Sequence, residues 1–150
     1  MRYFEDITVG ETEEIIGPVI SKEEVFDFAR QYDPQPHHLD EDAAEKSILG
    51  GLSASGWHTC CALIRMIFKN STEPSAFLGF PGVEEVRWKR PVRPGDQLNA
   101  SSRVTEARLS NSKPFMGLVK RHYEVRNQSG DVVMTMDTWA MIARRDRASS

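Results

Sequence analysis

Between Trp57 and Phe68 almost every residue is apolar, with only His58, Thr59 and Arg65 as polar interruptions. As a helix, about 12 residues span roughly 18 Å, which is short for crossing a bilayer even without Arg65. A helix apolar almost all the way round belongs in an interior, so the rest of the chain must supply something that wraps it. The residues that follow are suited to that, because they alternate with period two. Val83 to Val92 sets Glu84, Val86 and Trp88 against Glu85, Arg87 and Lys89, and Leu98 to Leu109 reads as a more polar strand. Phe115, Val119, Tyr123 and Val125 alternate with Lys120, His122, Glu124 and Arg126, and Val132 to Ile142 completes the series. Two turns punctuate it, Asn127-Gln128-Ser129-Gly130 and Arg93-Pro94-Gly95-Asp96, the latter with Pro and Gly at the type II positions. One long central helix wrapped by an antiparallel sheet is an α+β arrangement, not a doubly wound sheet. Neither a βαβ rhythm, a phosphate-binding loop nor an internal repeat is visible.

At 150 residues the chain reads as a single domain over residues 1–150, long enough to bury a core without staples. Its formal net charge of −3 gives no reason to expect nucleic acid or an anionic membrane as partner. Cys60 and Cys61 are adjacent and fall inside the apolar run. They read as reduced core thiols of a cytoplasmic protein, with no disulfide framework and no metal-ligand spacing among the Cys and His residues. The opening residues, Met1 to Asp6, are acidic and lack the apolar stretch of a secretory signal.

The first half of the chain is more broken. Val9-Gly10 suggests a turn, and Ile15 to Ile20, interrupted by Gly17-Pro18, suggests a short edge strand. Ser21 with Glu24 three residues on is a capping box that starts a helix with Val25, Phe26, Phe28 and Ala29 on its apolar face. That helix must end near Tyr32, where Pro34 and Pro36 begin. Asp40 reads as the N-cap of a second short helix reaching about Lys46, stopped by Gly50 and Gly51. Small residues, Ser53-Ala54-Ser55-Gly56, then lead into the apolar helix and leave room for another group to approach the backbone.

Chemistry concentrates in the proline-rich link. Asp33 and His38 are five residues apart with Pro34 and Pro36 between them. Proline lacks a donor and restricts the residue before it, so the two do not share a regular helix. A stiff turned segment can instead aim both side chains at one small volume. A carboxylate beside an imidazole is suited to moving protons or activating water.

The segment Asp33-Pro34-Gln35-Pro36-His37-His38-Leu39-Asp40 resembles the signature Asp-x-Asn-Pro-x-His-x-Asp of the MaoC-like hydratase/dehydratase family, the (R)-specific enoyl-CoA hydratases. Gln35 stands where the family has Asn. The family's Gly and its His-Gly at the central helix start match Gly50 and Gly56, with Ser55 in place of His. Arg90-Pro91-Val92-Arg93-Pro94-Gly95-Asp96 matches a later strand-and-turn motif, and Asn127 to Gly130 a turn near the end, so the likeness covers nearly the whole chain. The resemblance implies the hotdog fold, with a catalytic overhang over about residues 30–55 and a central helix over about 56–69. It also implies a dimer joined edge to edge between sheets, with a higher homo-oligomer left open, and with the acyl tunnel near the subunit interface. The reaction implied is reversible hydration of a trans-2-enoyl-CoA to an (R)-3-hydroxyacyl-CoA. Asp33 and His38 would activate the water, and a backbone N–H at Gly56, beside Ser55 and Trp57, would hold the thioester oxygen. No cofactor beyond the substrate's coenzyme A is implied, and no metal.

Each of these residues also has a plainer reading. Asp33 alone is equally a turn cap, and His38 a packed histidine. Gln35 pins the loop through its amide, Asp40 caps a helix, and His37 lies at the rim or packs. His58 is packed in the core or lines the pocket, Trp57 is core or a wall of the acyl channel, and His122 is solvated on a strand face. Arg87, Lys89, Arg90 and Arg93 are a solvated strand face, or some of them meet the phosphates of coenzyme A. Two other functions fit such a chain. An acyl-CoA thioesterase on the same fold would want a carboxylate or Asn on the helix, and none is acidic between Gly56 and Phe68. A non-catalytic acyl-CoA-binding subunit of a two-component hydratase would have no use for both Asp33 and His38.

Overall fold

The computed structural model describes residues 1–71 and 73–147. Its centre is helix α4, Gly56–Lys69. Around it curls a five-stranded antiparallel sheet of β1 (Thr12–Val19), β2 (Phe77–Trp88), β3 (Gln97–Leu109), β4 (Met116–Arg126) and β5 (Val132–Ala143), in the order β1-β3-β4-β5-β2. This is the hotdog arrangement that the resemblance implied.

The core lies between the inner face of the sheet and one side of α4. Leu63 and Met66 of the helix meet Leu98, Ala100, Tyr123, Val125 and Met134 of the strands. Gly17 of β1 permits the close approach: a Cβ there would lie 2.5 Å from Met66 Cε and 2.6 Å from the Leu98 carbonyl oxygen. The turn at Arg93–Asp96 closes with Asp96 N–H donating to the Arg93 carbonyl at 3.0 Å, and Gly95 takes φ 92°, the left-handed region that a type II turn requires.

The link between β1 and α4 carries three helices: α1 (Lys22–Tyr32), α2 (Pro36–Leu39) and α3 (Glu41–Glu45). Ser21 and Glu24 form the expected reciprocal cap, with Ser21 Oγ accepting from Glu24 N–H at 3.1 Å. Asp40 caps α3 by accepting from Ala43 N–H at 3.1 Å. The proline-stiffened link contains one helical turn, α2, with Pro36 as its first residue, where a missing donor costs nothing.

Three expectations need correction. First, α4 is not wrapped all round. Thr59, Cys60, Ala62, Leu63 and Met66 are buried, while Trp57 and Phe68 remain 59% and 49% exposed along an open side. One curled sheet covers only one side of a helix cylinder. Second, Cys61 lies on that open side and is exposed; only Cys60 is a core thiol, its Sγ 3.6 Å from Met134 Sδ. Third, β2 runs Phe77–Trp88 rather than 83–92, and Pro81 is accommodated because β2 is an edge strand.

Candidate active site

The N-terminus of α4 and the link before it form one wall of a cleft of about 390 Å³, and residues 88–92 form the other. Asp33, just past α1, and His38 of α2 both face it. His38 is 5% exposed, and its Nδ1 lies 2.8 Å from the Ser53 carbonyl oxygen. A carbonyl only accepts, so Nδ1 carries the proton and donates. In the neutral ring Nε2 is therefore an acceptor. That nitrogen lies 3.6 Å from Asp33 Oδ2, too far for a direct hydrogen bond but close enough for both atoms to grip one water.

Asp33 is tied at both oxygens. Gln35 Nε2 donates to Oδ1 at 2.5 Å, and Ser55 Oγ donates to Oδ2 at 2.6 Å. Burial pushes the Asp33 pKa up, but the Ser55 hydroxyl, the Gln35 amide and the nearby imidazoles outweigh it, leaving the carboxyl below its ordinary 3.8. Ser55 is also the N-cap of α4, and its Oγ accepts from Trp57 N–H at 3.2 Å. One hydroxyl thus joins the helix start to the carboxylate. The Gly56 N–H, first in the helix, has no partner among the described residues and sits at the positive end of the helix.

Sequence reasoning put Asp33, Gln35, His38, Ser55, Gly56 and Trp57 at the site, and the fold brings these six together. Asp40 is the α3 cap and stands off the cleft. His37 packs edge-on against His38, with ring centroids 4.2 Å apart, and does not line the cleft. His58 stacks on Phe28 at 4.8 Å, with its Nδ1 buried and unpartnered. His122 is not simply solvated: its Nδ1 is 2.8 Å from Asp137 on the outer sheet face. Arg93 is not solvated either, since its guanidinium is turned into the link before α4.

Trp88 was missed. Strand alternation marked it only as a β2 residue, yet its ring packs edge-on against Trp57 at 5.1 Å and lies directly on Gly56. A Cβ at position 56 would run into that ring. Nothing local in the sequence signals a contact between an edge-strand residue and a helix start more than thirty residues earlier.

A model of the family described as "MaoC like domain" matches residues 7–126. The chain belongs to this family. Among solved MaoC-like structures, that of the MaoC-like dehydratase from Rhodospirillum rubrum superposes with a TM-score of 0.88 at 35% identity, covering 97% of this chain and 99% of that one. A structure of the monoamine oxidase regulatory protein from Archaeoglobus fulgius gives 0.85 at 32% identity, covering 95% and 94%. The mesaconyl-CoA hydratase of Cereibacter sphaeroides is 32% identical over 99% of this chain, which spans 43% of that protein's length.

Proposed function

We propose that this MaoC-like protein catalyses the reversible addition of water to a trans-2-enoyl-CoA, giving an (R)-3-hydroxyacyl-CoA, and the corresponding dehydration. The observation that carries the reading is the pairing of Asp33 Oδ2 and His38 Nε2, 3.6 Å apart, in a cleft at the N-terminus of α4. The mesaconyl-CoA hydratase relative supports the reaction type.

The geometry does this chemistry as follows. Asp33, held ionised by its two donors, accepts one hydrogen of the water, and His38 Nε2 accepts the other. The water's lone pair is then directed at the β-carbon. Asp33 takes the proton as the C–O bond forms, and the pair returns a proton to the α-carbon. Charge passes meanwhile to the thioester oxygen as an enolate. The unpartnered Gly56 N–H, at the positive end of α4, would stabilise it. Lys89 and Arg90 line the cleft and pair with no carboxylate among the described residues, which suits the phosphates of coenzyme A.

The active unit in this reading is a homodimer. β2 is an edge strand, paired to β5 on one side only, beside an apolar groove of about 740 Å³ lined by Trp57, Cys61, Ile64, Phe80, Val83 and Trp88. An edge of this length with apolar cover missing on the adjacent helix is matched by a second copy of itself. The setting is read as cytoplasmic, in keeping with two free thiols. No helix among the described residues is long and apolar enough to cross a membrane.

The test is a panel of enoyl-CoAs of four to twelve carbons, with methyl-branched and carboxylated members including mesaconyl-CoA. It is read by loss of the enoyl absorbance and by product configuration on a chiral column. Turnover to the (R)-product is expected. An (S)-product would leave a hydratase without the assigned stereochemistry, and binding without turnover would mark a non-catalytic subunit.

A further inference from the structure

We infer that Arg93 is a positioning residue for catalysis, acting on His38 through the peptide carbonyls of the link before α4. The inference rests on His38 working as read above, but the tautomer readout of its test does not.

Arg93 sits in the turn between β2 and β3, where its neighbours in the sequence suggest a solvated cation. Its guanidinium instead enters the Leu49–Leu52 segment. Nη1 donates to the Gly51 carbonyl at 2.7 Å and to the Leu52 carbonyl at 3.2 Å, and Nη2 donates to the Leu49 carbonyl. No carboxylate lies within ion-pair distance of it among the described residues. The planar fork of five donors is spent on three backbone acceptors, a job that the single ammonium of lysine cannot copy. The same stretch is pinned once more by the backbone, Ala54 N–H donating to the Val92 carbonyl at 2.8 Å. Arg93 itself is anchored by its own N–H, which donates to Asp96 Oδ2 at 2.8 Å.

Ser53 lies between these two fastenings, and its carbonyl is the acceptor for His38 Nδ1–H at 2.8 Å. Gly50 and Gly51 precede it, at φ 68° and 155°, so without the clasp this is a pliable stretch. Arg93 therefore fixes the carbonyl that fixes the imidazole. If Ser53 O moves, the ring loses the partner that keeps the proton on Nδ1. Nε2 then ceases to be a dependable acceptor facing Asp33. Displacement of a catalytic group by as little as about 1 Å costs on the order of a hundredfold.

The experiment compares wild type, R93M and R93K, each labelled with ¹⁵N-histidine and with His38 assigned through H38A. The imidazole nitrogen shifts at about pH 8.5 report the tautomer directly. Wild-type His38 is expected in the Nδ1–H form. In R93M, folded by circular dichroism, the His38 signals should move toward an exchange average of both tautomers. kcat should fall about 10- to 100-fold with KM within about threefold. R93K should lie between, with kcat down about three- to tenfold. Where R93M does not fold, R93K carries the test alone. A tautomer and kcat at wild-type values in the folded variant would overturn the proposal, as would a loss of kcat with the tautomer unchanged. Wild-type His38 in the Nε2–H form would overturn it at once. Because the tautomer is read without turnover, a wild type inactive on every enoyl-CoA would sink the hydratase reading, while the nitrogen shifts would still decide whether Arg93 holds His38 in one form.

Discussion

Replacing Asp33 by Asn is the sharpest probe of the site, because the surroundings admit the amide. Gln35 and Ser55 are the two donors to the carboxylate, and both can reorient: the Gln35 amide by a flip, the Ser55 hydroxyl by rotation. D33N therefore keeps the shape of the cleft and removes only the ability to take a proton. The loss expected is that of one positioned proton-transfer group, about 10²–10⁴ in turnover, or about 2.7–5.4 kcal/mol at 1.36 kcal/mol per tenfold. H38A removes what is, in the proposed reading, the second acceptor of the same water, and should cost a similar factor. In the proposed reading both groups, 3.6 Å apart, hold one water, so the double variant should be little worse than either single one, far from the product of the two losses. H37A is the control: its ring touches His38 but not the cleft, and activity should stay within about tenfold of wild type. The assay is hydration of a short trans-2-enoyl-CoA by each folded variant. Wild-type rates in folded D33N and H38A, or strictly multiplicative losses in the double variant, would refute a shared water.

Three further outcomes follow from the same geometry. S55A removes a donor that opposes the effect of burial on Asp33, so the acid limb of the pH–rate profile should move to higher pH; an unmoved limb would detach Ser55 from Asp33. The sign for stability agrees: with the folded pKa depressed, Asp33 contributes stability above its unfolded value, lost as pH falls through the folded one, and S55A should narrow that acid-side margin. Cys60, buried and pushed up to about 11, should resist a thiol reagent at pH 8, whereas exposed Cys61 should label at low protein concentration and become protected as the chain dimerises; labelling of Cys61 independent of concentration would count against a second copy on the groove. G56V should lower activity by about two orders of magnitude or more, because its side chain meets the Trp88 ring and, in the proposed reading, the place for the thioester oxygen; full turnover would put the oxyanion elsewhere.

Local chemistry was the legible part of this chain. Ser21 and Glu24 announce a cap because both partners lie within one helical turn, and Asp40 caps its helix for the same reason. Asp33 and His38 could be paired because proline dictates the path between them over only five residues. What stayed hidden depends on contacts distant in sequence. The Ser55–Asp33 bond spans 22 residues, the Arg93 clasp on Gly51 spans 42, and Trp88 reaches Gly56 across the cleft. The apolar count on residues 57–68 misled in a specific way. It measured how much of α4 must avoid water, which is right, and assigned all of that cover to the chain's own sheet, which reaches only one side.

The uncovered side and the candidate cleft are not independent. Trp57 and Trp88 line both spaces and stand between them as a T-shaped pair. Trp57 is also the residue whose N–H is held by the Ser55 hydroxyl that donates to Asp33. A group seated in the apolar groove therefore presses on a ring whose backbone is one hydrogen bond from the carboxylate's own anchor. Sequence left Trp57 between core and channel wall; at 59% exposure it is not core, and it parts the polar chemistry at the helix start from the apolar strip along the helix. Covering the groove removes water from one face of that partition and leaves the other facing Asp33 and His38. Apolar cover lowers the local dielectric, and in the proposed reaction the Gly56 N–H at the helix start then acts more strongly on a developing enolate than it does with water on the far side of the tryptophan pair. If the proposed second copy seats on the open side of α4, its contact and the proposed chemistry at the helix start meet at the same two tryptophans.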